Sequence, residues 1–298
     1  MNFMKIIKSP KILHQELVKL RLRDSKVGFV PTMGALHDGH LSLVRASNRE
    51  NDVTVVSIFV NPTQFGPRED FSKYPRVFGK DKKLLQRLKV DFLFCPSVRG
   101  IYPEGLGKRG QTITPCLPPF VSNAKWPRLA KGLCGKFRPG HFQGVVTVVS
   151  KLLNIVGSCR LYLGAKDYQQ AVVIRQMVKD YGLNARVRIQ PIVREKDGLA
   201  MSSRNRYLSQ EERLRARKIS QVLFALKRDV LKREKTLNVL KNQTLTELKK
   251  HVGQVQYLEI VDPVTLIRLK KFQRGMAALT ACFVGKTRLI DNVIIRFP

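Results

Sequence analysis

The order of apolar runs and amphipathic stretches predicts an α/β fold: a mostly parallel sheet with helices on both faces, followed by a smaller C-terminal α+β domain. Three observations carry this expectation. Short apolar runs alternate with stretches of helical period through the first two-thirds of the chain. Such alternation calls for parallel strands joined by crossover helices. After Pro191 the texture changes, and a long charged helical stretch gives way to short strands. The 298 residues, 43% hydrophobic and 26% charged, are enough for two medium domains with substantial cores.

Taken in order, the apolar runs predict strands at 26–30, 53–59, 92–95, 161–163 and 187–190. Amphipathic stretches between them predict helices at 41–50, 80–88, 140–156 and 169–180. The second domain is expected to hold helices at 210–233 and 245–252 and strands near 257–261, 277–284 and 293–295. The domains are thus expected at 1–191 and 192–298, and the Pro- and Gly-containing stretch 100–119 reads as a surface excursion. No repeat or low-complexity segment interrupts this order.

Lys and Arg total 55 against 22 acidic residues, a net charge of +33. That balance favours anionic company: nucleic acid, nucleotide phosphates or an anionic membrane. The basic residues are spread along the chain in KIIKSPK, RLRDSK, GKDKK, RLRARK and LKRDVLKREK, which fits a solvated basic surface better than a dedicated nucleic-acid stripe. No apolar run reaches membrane-spanning length, and no secretory signal is recognised in MNFMKIIKSPKILHQ. Cys95, Cys116, Cys134, Cys159 and Cys282 are odd in number, scattered and without a CxxC, so free thiols in a reducing, cytoplasmic compartment are expected.

Four segments carry candidate chemistry. PTMGALHDGH, residues 31–40, follows the first of these strands and opens a helix. Ligands of open α/β sheets bind at the carboxyl ends of strands, and a helix N-terminus favours an anion. Gly34 and Gly39 allow close approach of backbone, and His37 and His40 can both donate to a phosphate oxygen. VNPTQFGPREDFSKYPR, residues 60–76, follows the next strand; Asn61 and Gln64 are amides able to hold a carboxylate or hydroxyl without adding charge. In YLGAKDYQQ, Lys166 can reach a phosphate as a point charge and Asp167 can orient a hydroxyl or a metal-bound water. In REKDGLAMSSRN, Ser202, Ser203 and Arg204 combine hydroxyls with a guanidinium fork suited to phosphate. Each segment alone reads equally as a polar loop or a helix cap; four together on separate connections do not read as coincidence.

The ordered set PTMGALHDGH, VSIFVNPTQF, RPGHFQGVVTVVSKLLNIV, KDYQQ, DGLAMSSRN, VDPVTL and TRLIDN resembles the pantothenate synthetase (pantoate–β-alanine ligase) family over nearly the whole chain. A lone HxGH is shared by many nucleotidyl-transferring enzymes, whereas this order is specific. The resemblance implies a Rossmann-like N-terminal domain that binds ATP and pantoate, a smaller C-terminal lid domain, a homodimer and a magnesium requirement. It implies that pantoate is activated by ATP as an acyl adenylate and then joined to β-alanine. By resemblance the catalytic set is His40, His37 and Lys166, with His40 the proton donor. ATP contacts are implied for Met33, Gly34, Ala35, Leu36, His37, Asp38, Gly39 and His40, for Gly164, Ala165, Lys166 and Asp167, and for Val193, Met201, Ser202, Ser203 and Arg204. Gln64 and Gln170 are implied to bind pantoate, with Gln64 also near β-alanine, and His141 to support the wall of the site.

Three acids usual in the family are absent. Ala165 stands for a glutamate, Cys134 for another, and of an acidic pair near Lys80 only Asp81 remains as a metal-ligand candidate. Two other functions compete: a different HxGH nucleotidyltransferase activating another carboxylate, and a basic nucleic-acid-binding protein on the same fold, with non-specific contact through the basic surface.

Overall fold

The computed structural model describes residues 4–67, 69–106 and 123–297. Chain contacts divide it into two compact units: Met1–Ala165 with Gln170–Pro191, and Lys166–Gln169 with Ile192–Pro298.

In the first unit the elements run β1 (Lys5–Ile7), α1 (Pro10–Arg21), β2 (Val27–Thr32), α2 (Asp38–Glu50), β3 (Val53–Ile58), α3 (Phe78–Arg87), β4 (Phe92–Phe94) and α4 (Val98–Ile101). Then follow α5 (Trp126–Lys131), α6 (Cys134–Phe137), α7 (His141–Val156), β5 (Cys159–Gly164), α8 (Tyr168–Asp180, in this unit from Gln170 on) and β6 (Ala185–Gln190). The six strands form one sheet in the order β1-β4-β3-β2-β5-β6, parallel throughout. Parallel sheets are covered on both faces, so their central strands read as continuous apolar runs. β3, VTVVSI, is buried over its first five residues and pairs in register with β2 from Val27↔Val53 to Thr32↔Ile58.

The strand order sets the site. β2 is followed by β3 on one side, while β5 lies on its other side and is followed by β6. The connections therefore diverge between β2 and β5, and the crevice at the carboxyl ends there is the ligand position of an open α/β sheet.

The second unit holds α9 (Gln210–Lys232), α10 (Leu237–His251) and an antiparallel sheet β7 (Gln254–Val261), β8 (Gly275–Val284) and β9 (Thr287–Arg296). Its core joins the inner faces of these elements through Ile219, Leu223, Leu226, Leu248, Met276 and Ile295. Ser209 and Glu212 close a full capping box at the start of α9.

The fold class agrees with expectation, but several elements exceed it. β1 and α1 were not expected: three residues are too few for a period, and α1 buries only Leu13 and Leu17 among basic residues. α10 starts at Leu237 instead of 245, because the polar run 241–244, KNQT, separates the apolar residues of its first turn from those that follow. β9 begins six residues before the expected 293 because polar Asp291 and Asn292 interrupt the apolar pattern, yet both are buried. Asp291 takes a bidentate bond from Arg194, at 2.7 and 2.9 Å. Most of the expected excursion at 100–119 lies outside the described residues; Val98–Ile101 forms the short helix α4.

Candidate active site

The loop after β2 is built for a tight reversal. Gly34 and Ala35 both have positive φ, +80° and +51°. A side chain at Gly34 would also place its Cβ 3.1 Å from an Asp81 carboxylate oxygen and from Ile58, so glycine is required there twice over. Asp81, from the first turn of α3, is 1% exposed. Its two carboxylate oxygens accept the backbone N–H groups of Ala35 and Leu36, each at 2.8 Å. Thr32 Oγ1 accepts the N–H of Gly34 and donates to the Ser57 carbonyl on β3.

This changes the roles expected for three residues. Asp81, expected as a metal ligand, commits both oxygens to the loop backbone. Ala35 and Leu36, expected to contact ATP, are buried and turn their N–H groups inward to that carboxylate. They shape the loop, and the surface it presents comes from Met33, His37, Asp38, Gly39 and His40, all at least partly exposed.

His37 is the N-cap of α2. Its Nδ1 accepts the Gly39 N–H at 3.2 Å, which puts the proton of the neutral ring on Nε2, a donor for an anionic oxygen. His40 sits one turn on, its backbone N–H bonded to the His37 carbonyl, and the two rings lie 4.1 Å apart between centroids. Two imidazoles are thus held together at a helix N-terminus, where the macrodipole favours an anion.

β3 delivers the second segment. Gln64 ends a short 3₁₀ turn, Pro62–Gln64. Its Nε2 lies 2.9 Å from the Met33 sulfur, and its Oε1 accepts from Asn61 at 3.2 Å. Adjacent parallel strands thereby bring the glutamine to the histidine loop. Asn61, read as an amide able to hold a ligand, is instead 1% exposed and saturated. Its Nδ2 donates to Gln64 Oε1 and the Gly144 carbonyl, and its Oδ1 accepts from Thr63 and Tyr102. Burial pushes the Tyr102 hydroxyl up to about 12, so it remains a donor. His141 braces the same turn through Nδ1 to the Gln64 carbonyl at 2.8 Å. Sequence reasoning missed Asn61 and Asp81 as supports, because buried hydrogen-bond partners are not adjacent in sequence. Gln170 is half-buried in the first turns of α8, and Gly164 and Ala165 lie at the carboxyl end of β5, both partly exposed.

In the second unit, Lys166 pairs with Asp167 at 3.7 Å, and the Lys166 carbonyl accepts from Asn292 on β9 at 3.1 Å. Val193 and Met201 close a hairpin, with Met201 N–H on the Val193 carbonyl at 3.0 Å and an antiparallel bridge between Arg194 and Ala200. Ser202 caps the 3₁₀ turn Ser203–Tyr207 by accepting the Arg204 N–H. Asn205 ties the turn back to Glu195 at 2.6 Å and to the Ala200 carbonyl at 3.1 Å. Arg213 of α9 bonds Glu195 and, at 3.0 Å, Asp197. Ser202, Ser203 and Arg204 are partly exposed on this braced turn.

Among the described residues no cluster of three or more His, Cys, Asp or Glu is placed to hold a metal ion, and no described helix is long and apolar enough to cross a membrane.

Known proteins resemble this chain over nearly its whole length. A curated pantothenate synthetase of Sulfurihydrogenibium sp. is 47% identical over 292 residues, 97% of this chain and 99% of its own. That of Thermodesulfovibrio yellowstonii is 44% identical over 98% of this chain and all of its own. The crystal structure of pantothenate synthetase from Thermus thermophilus superposes with a TM-score of 0.85 at 41% identity, covering 97% of this chain and 99% of that one. The pantoate-β-alanine ligase of Francisella tularensis, solved with β-γ ATP and β-alanine, gives a TM-score of 0.75 at 38% identity over 98% of this chain and 97% of its own. The family described as pantoate-β-alanine ligase matches residues 5–294, and this chain belongs to it.

Proposed function

We propose that this protein joins pantoate to β-alanine with consumption of ATP, through a pantoyl adenylate, releasing pyrophosphate and AMP. The observation that carries this is the meeting of two loops at the sheet's carboxyl edge. The paired imidazoles of His37 and His40 stand at the start of α2, and Gln64 lies against Met33 of the same loop. One loop supplies donors for phosphate, the other an uncharged amide for the acid that attacks it. The reading of a nucleotidyltransferase for another carboxylate has no support from the family match.

In the first step the pantoate carboxylate attacks the α-phosphorus and pyrophosphate leaves. Phosphoryl chemistry of this kind needs positioning and charge neutralisation more than covalent help. His40 and His37 meet developing charge on the phosphate oxygens. Lys166, Ser202, Ser203 and Arg204 contribute further donors to the nucleotide, and Met33, Asp38, Gly39, Gly164, Asp167, Val193 and Met201 complete its contact surface. Gln64 and Gln170 hold pantoate. In the second step the β-alanine amine attacks the acyl carbon and expels AMP. A free adenylate is favoured over an acyl-enzyme because the candidate segments pair no Ser, Cys or Lys nucleophile with an obvious base.

Among the described residues no dedicated protein site for magnesium is formed. Asp81 is committed to backbone, and no acidic or imidazole cluster replaces it among the described residues. Magnesium usually binds through substrate phosphates with few carboxylates, so its proposed place is on the nucleotide. Family membership also supports a homodimer in the cytoplasm, and the charge of +33 supports only non-specific, salt-sensitive contact with nucleic acid.

The test is AMP formation with ATP, magnesium, pantoate and β-alanine, omitting each in turn. Without β-alanine, labelled pyrophosphate should exchange into ATP only when pantoate is present. Exchange in its absence, or a covalent acyl-enzyme in the mass spectrum, overturns the scheme.

A further inference from the structure

A chain of charge and hydrogen bonds runs from the surface of the first unit to the Gln64 turn. Glu69 Oε1 and Oε2 accept from Arg138 Nε and Nη2, both at 2.6 Å. The remaining guanidinium nitrogen, Nη1, lies 2.9 Å from His141 Nε2. His141 Nδ1 lies 2.8 Å from the Gln64 carbonyl. These partners decide the state of the ring. A carbonyl only accepts, so Nδ1 carries the proton; a guanidinium only donates, so Nε2 is the acceptor. His141 is therefore neutral and protonated on Nδ1, buried with 8% exposure.

The start of α7 presses on the same turn from a second point. At Gly144 a Cβ would stand 2.7 Å from the Gln64 backbone nitrogen and closer still to the Thr63 carbonyl. Glycine alone allows this approach, and Asn61 Nδ2 donates to the Gly144 carbonyl at 3.1 Å. The segment from Asn61 to Glu69 is thus stapled to the segment from Arg138 to Gly144 at both ends and in the middle.

We propose that Arg138 and Glu69 are positioning residues for the acid substrate: acting through His141, they set the backbone from which Gln64 reaches pantoate. The proposal rests on the reading that Gln64 binds pantoate. Glu69 orients the planar fork of Arg138, the fork orients the imidazole, and the imidazole fixes the Gln64 carbonyl. A lysine at 138 keeps the charge but cannot satisfy a carboxylate twice and an imidazole once in fixed geometry.

The experiment measures KM for pantoate and for ATP, with thermal midpoints, in Glu69→Gln, Arg138→Lys, His141→Gln and the Glu69→Gln/His141→Gln double variant, with Gln64→Ala as reference. Pantoate KM should rise roughly tenfold in each single variant, the scale of one charge-assisted hydrogen bond. ATP KM should stay within about twofold, and the double variant should be no worse than the worse single, because the links act in series. Histidine-labelled protein should show His141 as the Nδ1–H tautomer in nitrogen-15 spectra, and that signature should be lost in Arg138→Lys. His141→Asn, which keeps an N–H donor near the Nδ1 position, should recover part of the pantoate affinity lost in His141→Gln.

An equal rise in both KM values, additive losses, or variants that merely fail to fold would show a general structural role and overturn the proposal. So would an unchanged pantoate KM in Glu69→Gln and Arg138→Lys while Gln64→Ala raises it. If Gln64→Ala itself leaves pantoate KM unchanged, the assignment of Gln64 fails, and the proposal with it for that separate reason.

Discussion

Two loops of one sheet, grown from neighbouring strands, are held by different physics. The loop after β2 is braced by a buried carboxylate, Asp81, with both oxygens on backbone N–H groups of the turn. The loop after β3 is stapled by the close approach of α7 at Gly144 and by the partly exposed ion pair Glu69–Arg138. The first device lies out of reach of solvent and salt; the second touches both. The difference teaches that the loop proposed to meet phosphate is preorganised at a fixed cost in backbone strain. The loop proposed to meet the acid depends on a charge state.

The largest effect should come from the tip of the first loop. His40→Ala is expected to slow single-turnover pyrophosphate release by about a hundred- to a thousandfold, the usual cost of one preorganised donor, with little change in thermal midpoint. A rate within a few-fold of the parent would remove His40 from the mechanism and leave the brace without a purpose.

The braces themselves come next. Asp81→Asn turns one oxygen into a donor facing a donor, so a buried N–H of Ala35 or Leu36 loses its partner. Such an orphan costs about 1–3 kcal/mol, measurable by urea denaturation, and ATP KM should rise more than pantoate KM. Gly144→Ala forces a methyl into the Thr63–Gln64 backbone, an overpacking of about 1–3 kcal/mol, and should raise pantoate KM more than ATP KM. The comparison breaks if both variants affect the two substrates alike.

Ala165 offers a smaller test. It directly follows β5, next to Lys166, at the position where the motif resemblance implies a glutamate. Ala165→Glu should tighten ATP by about 0.5–1.5 kcal/mol if one hydrogen bond is regained, read by calorimetric titration at matched salt and magnesium. Equal or weaker binding would show that the basic surroundings already compensate.

The smallest effect concerns pH. Burial pushes the Glu69 carboxyl up, but hydrogen bonds and charge from Arg138, with the Gly66 backbone, outweigh it and hold the group below its ordinary 4.5. A carboxyl lowered by folding contributes stability that is complete above its unfolded-state value and is lost as pH falls through the lower folded-state value. Glu69 is partly exposed, so after solvent screening the contribution should stay below about 1 kcal/mol. Glu69→Gln should flatten the acid limb of stability below about pH 4.5 and reduce the salt dependence of pantoate KM. Asp81→Asn should leave the salt dependence unchanged.

Much of this protein was written locally in its sequence. Alternating apolar runs and helical stretches determined the α/β class, and the motif order determined the candidate loops, because strand period, helix period and turn chemistry are nearest-neighbour properties. His37, His40 and Gln64, the residues proposed to meet the substrates, were legible as candidates because their polar segments follow predicted strands, where open α/β sheets bind ligands. What only the tertiary structure decided is how those residues are held. Asp81 lies 46 residues from Ala35, and Glu69 as many as 69 from Arg138. No pattern along the chain links such partners. Asn61 and Asp81 read in sequence as ligand groups, and packing made them supports, because a buried polar atom must find a partner: Asp81 found backbone, and Asn61 found backbone and the Tyr102 hydroxyl. The buried Asp291 and Asn292 hid the start of β9 for the same reason: Arg194, nearly a hundred residues away, supplies the charge that lets an acid sit inside a strand.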